Sequence, residues 1–233
     1  LAPDAAGFTL SFPGVRQAFV GLAGLRFCKF GIKPPWGDTF HAACLTFLIA
    51  CVCSNAASAA DFWVAPDATP CRKAACICDK ASPCSISSAL FKALQPGDTL
   101  KLFPGDYSGF RIQEVHGLPG QKITIQGVGE SADGTPLARL RGDLSEGRRD
   151  TLELARSSHI VLDNLHVTHA TRAGIRLNNS HHVEVRNSRL ETNGVWGIFT
   201  NHANYFSAEG NTIIGPAQQH GIYQSNSGDH VRL

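Results

Sequence analysis

The sequence contains no methionine, not even at its first position, and it stops at Leu233 in a segment that still has the pattern of regular structure. We therefore expect a fragment, or an open reading frame without its true start, that is truncated before its C-terminal end, with both ends set arbitrarily. Charged residues are also scarce, at 17% of the chain, whereas 43% of the residues are hydrophobic. This balance argues against an intrinsically disordered protein, because such chains have too little apolar surface to bury.

No apolar run is long enough to cross a bilayer comfortably, since the run at residues 42–52 falls short of the roughly 20 residues that a spanning helix needs. Its length is typical of the apolar part of a signal peptide, and the small residues Ala57-Ser58-Ala59 supply a cleavage pattern after it. We predict a signal peptide over residues 39–60 and treat residues 1–38 as an upstream or unstructured extension. A buried core helix is the alternative for the apolar run.

The part that follows residue 60 has no excess of charge, because five Lys and twelve Arg residues balance ten Asp and seven Glu residues. It therefore lacks the electrostatic footprint of a protein that binds nucleic acid or an anionic membrane. We expect neither partner, no membrane association after signal cleavage, and a secreted or periplasmic monomer.

Cysteine is absent after residue 84, and the cysteines beyond the predicted leader form one cluster: Cys71, Cys76, Cys78 and Cys84. An even, local cluster in an exported protein predicts two disulfides, with three pairings open. A zinc site is the alternative, since four thiolates can ligate zinc, although the usual C-x2-C spacing is missing.

Two patterns precede the most informative part of the chain. Apolar residues spaced along one helical face predict a short helix over residues 85–94, with Ser85 as its N-cap and Pro96-Gly97 at its end. The period then changes to two, because Leu100 and Leu102 alternate with polar neighbours as they do in a strand.

The most informative feature is an internal repeat. Residues 159–167, 182–190 and 206–214 superpose without gaps. Each segment carries one asparagine at the same place: Asn164, Asn187 and Asn211. A second marker, a Gly-Ile pair, recurs with the same spacing and begins at Gly174, Gly197 and Gly221.

A unit of about 23 residues with alternating apolar positions matches one coil of a β-solenoid. We expect the three asparagines to lie directly above one another at a tight turn, in the left-handed conformation, with their amides hydrogen-bonded from coil to coil. A leucine-rich repeat is the alternative, but its L-x-x-L-x-L pattern is absent.

The Asn repeat, the strand starts GIRL, GIFT and GIYQ, the helix before them and the phrase PGDTLKLFPGDY together resemble the right-handed parallel β-helix, or pectin-lyase-like, superfamily. NosD-like and chondroitinase B-like repeat proteins belong to it. The resemblance covers residues 61–233 and implies an all-β fold: a right-handed, single-stranded parallel β-helix, incomplete at its C-terminus, with a short N-terminal capping helix. It also implies sugar binding along the first strand of each coil, here the Gly-Ile strand, although fold alone does not fix activity.

Alternation along the Gly-Ile strands separates an inward from an outward row. The inward row is a stacked aliphatic core: Leu152, Ile175, Ile198 and Ile222. The outward row consists of their C-terminal neighbours: Glu153, Arg176, Phe199 and Tyr223. The preceding loops add His169, Arg172, Trp196 and His220.

Five of these side chains are candidates for substrate binding. Trp196, Phe199 and Tyr223 are suited to stacking on the apolar face of a sugar ring. Arg172 is suited to pairing with a uronate carboxylate, and His169 lies beside it in the same loop.

Arg176, His220 and Glu153 are the leading candidates for catalysis. β-Elimination needs a base that takes the proton α to the carboxylate, and a cation that stabilises the developing enolate. His220, His169 or Glu153 is the candidate base, and Arg176 is the candidate cation. The alternatives are glycoside hydrolysis by two carboxylates, or a Glu153–Arg176 ion pair and an aromatic ladder without function.

We therefore predict an exported carbohydrate-active enzyme on an acidic polysaccharide, of the polysaccharide lyase type, with a glycoside hydrolase as a second reaction. The alternative is a non-catalytic carbohydrate-binding, adhesion or periplasmic accessory protein. No residue pattern predicts a metal site or a cofactor, and calcium is implied only by the resemblance. No lysine follows Lys122, so the Lys-based site of chondroitinase B-like lyases is not complete in this sequence.

Overall fold

The structure is a computed structural model that describes residues 59–69, 77–142, 147–215, 217–226 and 229–233. The predicted extension and nearly all of the predicted signal peptide lie outside the described residues, as do Cys71 and Cys76. Within the described ranges, no helix is long and apolar enough to cross a membrane.

This part of the chain folds into short strands and one short helix. In chain order the elements are β1 (Asp61–Val64), α1 (Ser88–Ala93), β2 (Thr99–Leu102), β3 (Gly105–Ser108), β4 (Phe110–Gln113), β5 (Ile123–Gly127), β6 (Ala138–Arg141), β7 (Leu152–Ala155), β8 (Ser158–Asp163), β9 (His166–Thr168), β10 (Ala173–Asn178), β11 (His181–Arg186), β12 (Arg189–Glu191), β13 (Trp196–Asn201), β14 (Phe206–Glu209), β15 (Thr212–Ile214) and β16 (Ile222–Ser225).

The strands form three parallel sheets, and each coil contributes one strand to each sheet. The first sheet has the order β16-β13-β10-β7-β4, the second β1-β2-β5-β8-β11-β14, and the third β15-β12-β9-β6-β3. Within a coil the chain visits the first, second and third sheets in turn, as in β7, β8 and β9. The predicted all-β parallel solenoid is therefore confirmed.

The core is a stack of identical positions. Leu152, Ile175 and Ile198 are fully buried and Ile222 is half-buried, and the parallel register pairs each with the next. This is the predicted inward row. Burying one such aliphatic side chain stabilises the fold by about 1.5–3 kcal/mol, so the stack is a main source of stability.

The helix is shorter than the predicted span of residues 85–94. α1 follows Ser87, whose Oγ accepts a hydrogen bond from the Leu90 backbone N–H at 3.2 Å, so Ser87 and not Ser85 is the N-cap. The Ser85 backbone N–H instead donates to the Thr69 carbonyl oxygen, 3.2 Å away, which keeps the chain extended at that point.

The helix packs on the beginning of the first sheet. Leu90 and Phe91 are buried, and the Phe91 ring centroid lies 5.2 Å from that of Phe110 in β4. α1 therefore covers apolar side chains at the N-terminal end of the solenoid, in agreement with the capping role that the resemblance implied.

Cys78 and Cys84 lie in the segment before the helix. Their Cα atoms are 5.1 Å apart, a separation that suits a disulfide. Because Cys71 and Cys76 lie outside the described residues, the second predicted disulfide stays a prediction.

The predicted stacking of the three asparagines is correct for two of them. Asn164 and Asn187 are equivalent in successive coils, and both have left-handed backbones with φ of 53° and 50°. The equivalent position in the next coil is Gly210, at φ 65°, because Arg186 pairs with Glu209. Asn211 lies one position later, so the superposition of residues 206–214 was wrong by one residue.

The predicted hydrogen bonds between these asparagines do not form. Asn164 donates its Nδ2 to the Gly127 carbonyl oxygen at 3.0 Å, and Asn187 donates to Asp163 Oδ1 at 3.0 Å. Asn211 accepts from the Ser188 backbone N–H at 3.0 Å. The turn is thus held by bonds to backbone and carboxylate oxygens.

We expect the Ile175→Ala substitution to lower the free energy of unfolding by about 2–5 kcal/mol, because it leaves a cavity in the fully buried stack. The matched control is Ile214→Ala, since Ile214 is 44% exposed and its loss costs less than about 1 kcal/mol. Urea unfolding followed by circular dichroism measures both. Equal costs for the two variants would contradict the inward row.

Candidate functional site

The outward face of the first sheet carries one row of side chains in strict register. Arg111, Glu153, Arg176, Phe199 and Tyr223 occupy equivalent positions on β4, β7, β10, β13 and β16. Neighbouring strands lie about 4.8 Å apart, so adjacent members of the row are in contact distance. Arg111 extends the predicted row by one strand, and sequence reasoning missed it because Arg111 and Glu153 are 42 residues apart, which departs from the repeat of about 23 residues.

The charged half of the row is a set of cross-strand ion pairs. Arg111 Nε lies 3.3 Å from Glu153 Oε2, and Arg176 Nη1 lies 3.5 Å from Glu153 Oε1. Arg176 Nη1 also lies 3.7 Å from Asp150 Oδ2. The Glu153 carboxylate is therefore held between two guanidinium groups, and the cross-strand pair considered from the sequence is present.

Asp150 is a buried anchor that sequence reasoning missed. Arg172 donates Nε to Asp150 Oδ1 at 2.8 Å and Nη2 to the other carboxylate oxygen, Oδ2. The Ala173 backbone N–H also donates to Asp150 Oδ1, at 3.1 Å. Hydrogen bonding to Asp150 raises the pKa of Arg172 above its usual value, so Arg172 is engaged in fixing the loop before β10. The available signal was spacing, because Asp150 precedes Ala173 by one 23-residue period.

The other half of the row consists of aromatic rings, against which Trp196, at the start of β13, also stacks. We call this set the aromatic platform: Trp196, Phe199 and Tyr223. The ring centroids of Trp196 lie 4.5 Å from those of Phe199 and 5.3 Å from those of Tyr223, with interplanar angles of 27° and 11°. Trp196 Nε1 donates to Gln219 Oε1 at 2.9 Å, which fixes the indole ring. The Arg176 guanidinium lies 5.8 Å from the Phe199 centroid, so the charged half and the platform are continuous.

The predicted catalytic residues do not all meet at one point. Glu153 and Arg176 are in contact, but the exposed His220 lies beside Tyr223, with ring centroids 5.9 Å apart. Glu153 and Tyr223 are separated by three strand spacings, about 14 Å. His220 is therefore at the aromatic end of the row and Glu153 at the charged end.

His169, predicted as a binding residue, lies at the end of the third-sheet strand β9. Its Nδ1 is 2.7 Å from Thr168 Oγ1, and its side chain is exposed. Its backbone is left-handed, with φ of 60°. The structure thus associates His169 with the turn after the third sheet, whereas Trp196, Phe199 and Tyr223 lie together on the first sheet.

A cavity of about 620 Å³ lies at the charged end of the row, between the first sheet and the N-terminal helix. Its walls include Phe91 and Lys92 from α1, Arg111 and Glu114 from the region of β4, and Arg148. The row of outward side chains therefore leads from the aromatic platform toward a concave, mixed-charge recess.

Calcium, which the resemblance implied, has no suitable donor set here. Among the described residues, the one group of three or more potential ligands is formed by His159, His181 and His182, on the second sheet. Calcium prefers six to eight oxygen ligands, which imidazoles do not supply. Asp150 and Glu153 are two carboxylates that arginines already engage. The described residues do not fit a calcium site.

Comparisons with known proteins agree with this architecture. Residues 141–233 match a family described as "Right handed beta helix region". Among solved structures, the pectate lyase Pel9A is similar with a TM-score of 0.56 and 16% identity, over 72% of this chain and 46% of the lyase. The chain is therefore a right-handed parallel β-helix.

This β-helix spans about half the length of the pectate lyase, and at 16% identity the likeness shows the fold alone. An alginate lyase from Paenibacillus sp. str. FPU-7 is similar at 19% identity with a TM-score of 0.43, over 74% of this chain and 68% of that one. No curated protein matches the sequence at a significant level.

We expect Asp150→Ala to lower the free energy of unfolding by about 3–5 kcal/mol, because it leaves Arg172 without its carboxylate partner in a buried setting. Asp106→Ala is the matched control, since it removes an exposed carboxylate from Arg139 and costs about 0–1 kcal/mol. Chemical denaturation of both variants provides the comparison. A loss for Asp150→Ala no larger than that of the control would show that the loop does not depend on this pair.

Proposed function

We propose that this β-helix is an exported carbohydrate-active protein that binds an acidic polysaccharide along the outward face of the first sheet. The observation that carries the proposal is the continuity of aromatic rings and arginines on one face. Polysaccharides are extended chains of rings with apolar faces and polar edges, so a long row with both kinds of side chain suits them. The shared fold with a pectate lyase supports the same class of ligand.

The aromatic platform provides the apolar contacts. Tyr223 is 38% exposed, and its ring is nearly parallel to that of Trp196 at 11°, so the two present a flat surface to solvent. A sugar ring that stacks there buries C–H groups against the aromatic faces. The Tyr223 phenol can add a hydrogen bond, whereas the Trp196 indole N–H already donates to Gln219.

Arginine provides the recognition of a uronate carboxylate. Arg111 is the better candidate for a direct contact, because its side chain is 42% exposed whereas that of Arg176 is 21% exposed. Planar guanidinium groups bind carboxylates through two parallel hydrogen bonds. Arg172 contributes to this surface indirectly, because its hydrogen bond to Asp150 fixes the loop before β10.

The reaction that this face supports best is β-elimination. A base removes the proton on the carbon next to the uronate carboxylate, and the electrons of that C–H bond form an enolate. The enolate electrons then form the carbon–carbon double bond as the glycosidic C–O bond to the neighbouring sugar breaks, and the leaving oxygen keeps the C–O electrons and takes a proton from water. Arg176 is suited to stabilise that enolate, and Glu153, in contact with it, is the candidate base. His220 would then act at the aromatic end, on a different sugar residue.

A non-catalytic binding protein is the second candidate. It is favoured by the two arginine contacts of Glu153, which leave the carboxylate engaged, and by the distance between His220 and Arg176 along the row. We further propose a disulfide between Cys78 and Cys84, as expected for a secreted or periplasmic chain, and a monomeric state.

We expect Tyr223→Ala to weaken binding of oligogalacturonate or oligoalginate by about 1 kcal/mol, roughly fivefold, through the loss of one stacking ring. Tyr205→Ala is the matched control, because Tyr205 is a tyrosine of similar exposure, 45%, that lies immediately before the second-sheet strand β14. Isothermal titration calorimetry of both variants and the parent measures the effect. If the control weakens binding as much as Tyr223→Ala, the first-sheet face is not the binding surface.

We expect the protein to release unsaturated oligosaccharides from pectate or alginate, and Arg176→Ala to abolish that release, because the enolate would lose its cation. Ultraviolet absorbance of the products measures the reaction. Binding without unsaturated products from any uronate polymer would overturn the lyase assignment in favour of the binding protein. Absence of both binding and products would overturn the whole proposal.

A further inference from the structure

A second ladder of rings runs along the beginning of the second sheet, apart from the proposed saccharide surface. The ring of His182 stacks on those of His159 and Tyr205, with centroid distances of 4.4 Å and 4.3 Å. Tyr205 in turn stacks on His230 at 4.4 Å. All four residues have left-handed backbones, with φ between 53° and 58°. A left-handed backbone is unfavourable for bulky residues, so the ring positions are maintained against a local cost in each coil.

Three imidazoles converge at the first part of this ladder. One potential ligand atom from each of His159, His181 and His182 lies within 4.8 Å of the others. The Nδ1 atoms of His181 and His182 are 2.9 Å apart. In addition, His159 Nδ1 is buried and has no hydrogen-bond partner, a state that is costly for a ring nitrogen. The cluster therefore has more ring nitrogens than protein partners for them.

We propose that His159, His181 and His182 form a binding site for a divalent transition-metal ion of the zinc class. Neutral imidazole nitrogens suit zinc, copper and nickel, whereas calcium and magnesium prefer oxygen. Three histidines leave the fourth position of a tetrahedral ion to water or to an oxygen of a ligand. The site belongs to the second sheet and is independent of the uronate-binding row.

The geometry needs only side-chain rotation to accommodate the ion. Tetrahedral zinc with bonds of about 2.0–2.1 Å places two ligand nitrogens about 3.3 Å apart, slightly more than the Nδ1 separation of His181 and His182. The rings of His159 and His182 are parallel within 8°, so their in-plane lone pairs converge only after one ring turns out of the stack. The torsion about the Cβ–Cγ bond of histidine is broad, which makes this rotation inexpensive.

The basic charge beside the cluster is paired with a carboxylate. Lys122, whose positive charge acts on His159 and His182, has its Nζ 2.5 Å from Glu184 Oε1. His116, also beside the cluster, has its Nδ1 3.0 Å from Ser158 Oγ. The ammonium charge is thus offset by a carboxylate on β11, the same strand that carries two of the proposed ligands.

The test is titration of the full chain with zinc chloride, by isothermal titration calorimetry, and with cobalt(II), by visible absorption. We expect one ion to bind to the histidine cluster, and His181→Ala and His182→Tyr each to weaken its binding by more than about 10-fold, since even outer-shell changes at metal sites have such effects. His182→Tyr is chosen because the next coil has Tyr205 at the same position, so the stack is kept and only the ligand is lost. His202→Gln, an exposed histidine outside the cluster, is the control that retains full affinity.

Cobalt(II) also separates the histidine site from the cysteines. An imidazole site gives visible bands without the intense near-ultraviolet charge-transfer bands that thiolate ligands add. Binding that carries thiolate bands and is unchanged in His181→Ala and His182→Tyr would overturn the proposal, as would an absence of binding by zinc and cobalt(II). Equal affinity for calcium would overturn it too, since the donors are nitrogens.

Discussion

Parallel hydrogen bonding between successive coils is the constraint on which the rest of the structure depends. Each strand inside a sheet pairs residue by residue with its equivalents in the coils before and after it, so Ile175 meets Leu152 on one side and Ile198 on the other. A slip of one residue would turn every inward side chain of a strand to the outside. The same register therefore fixes both the buried apolar stack and the outward row of side chains on the surface.

The fold was predictable from the sequence because the Gly-Ile pairs recur at positions that the parallel register fixes. At Gly174 and Gly197, close packing between coils leaves no room for a larger residue: a Cβ on Gly197 would lie 2.6 Å from the Gly221 carbonyl oxygen. The Asn marker is weaker, because a left-handed turn position accepts glycine as readily as asparagine. Gly210 occupies that position in the third segment, so aligning Asn211 with Asn164 and Asn187 shifted the third segment by one residue.

The sequence predicted the features of the candidate site that depend on alternation along one strand. It did not predict the features that depend on contacts between coils. The faces of Glu153, Arg176, Phe199 and Tyr223 follow from alternation along each strand. The role of Asp150 does not, because it depends on a guanidinium 22 residues later in the chain. The convergence of three histidines was equally hidden: His159 and His182 share the repeat spacing, but polar residues at a turn ordinarily face water.

The last described coil is one residue longer than the coil before it. Leu190 pairs with Ile213 after 23 residues, whereas Ile198 pairs with Ile222 after 24, so the additional residue lies in the connection from the third sheet back to the first. Loop length has a small effect on closure free energy, about 0.6 kcal/mol per doubling. This connection carries His220 and borders the aromatic platform. Natural variation or laboratory grafting can therefore change the loop that borders the aromatic platform, one coil at a time, without changing the spacing of the strands beneath it.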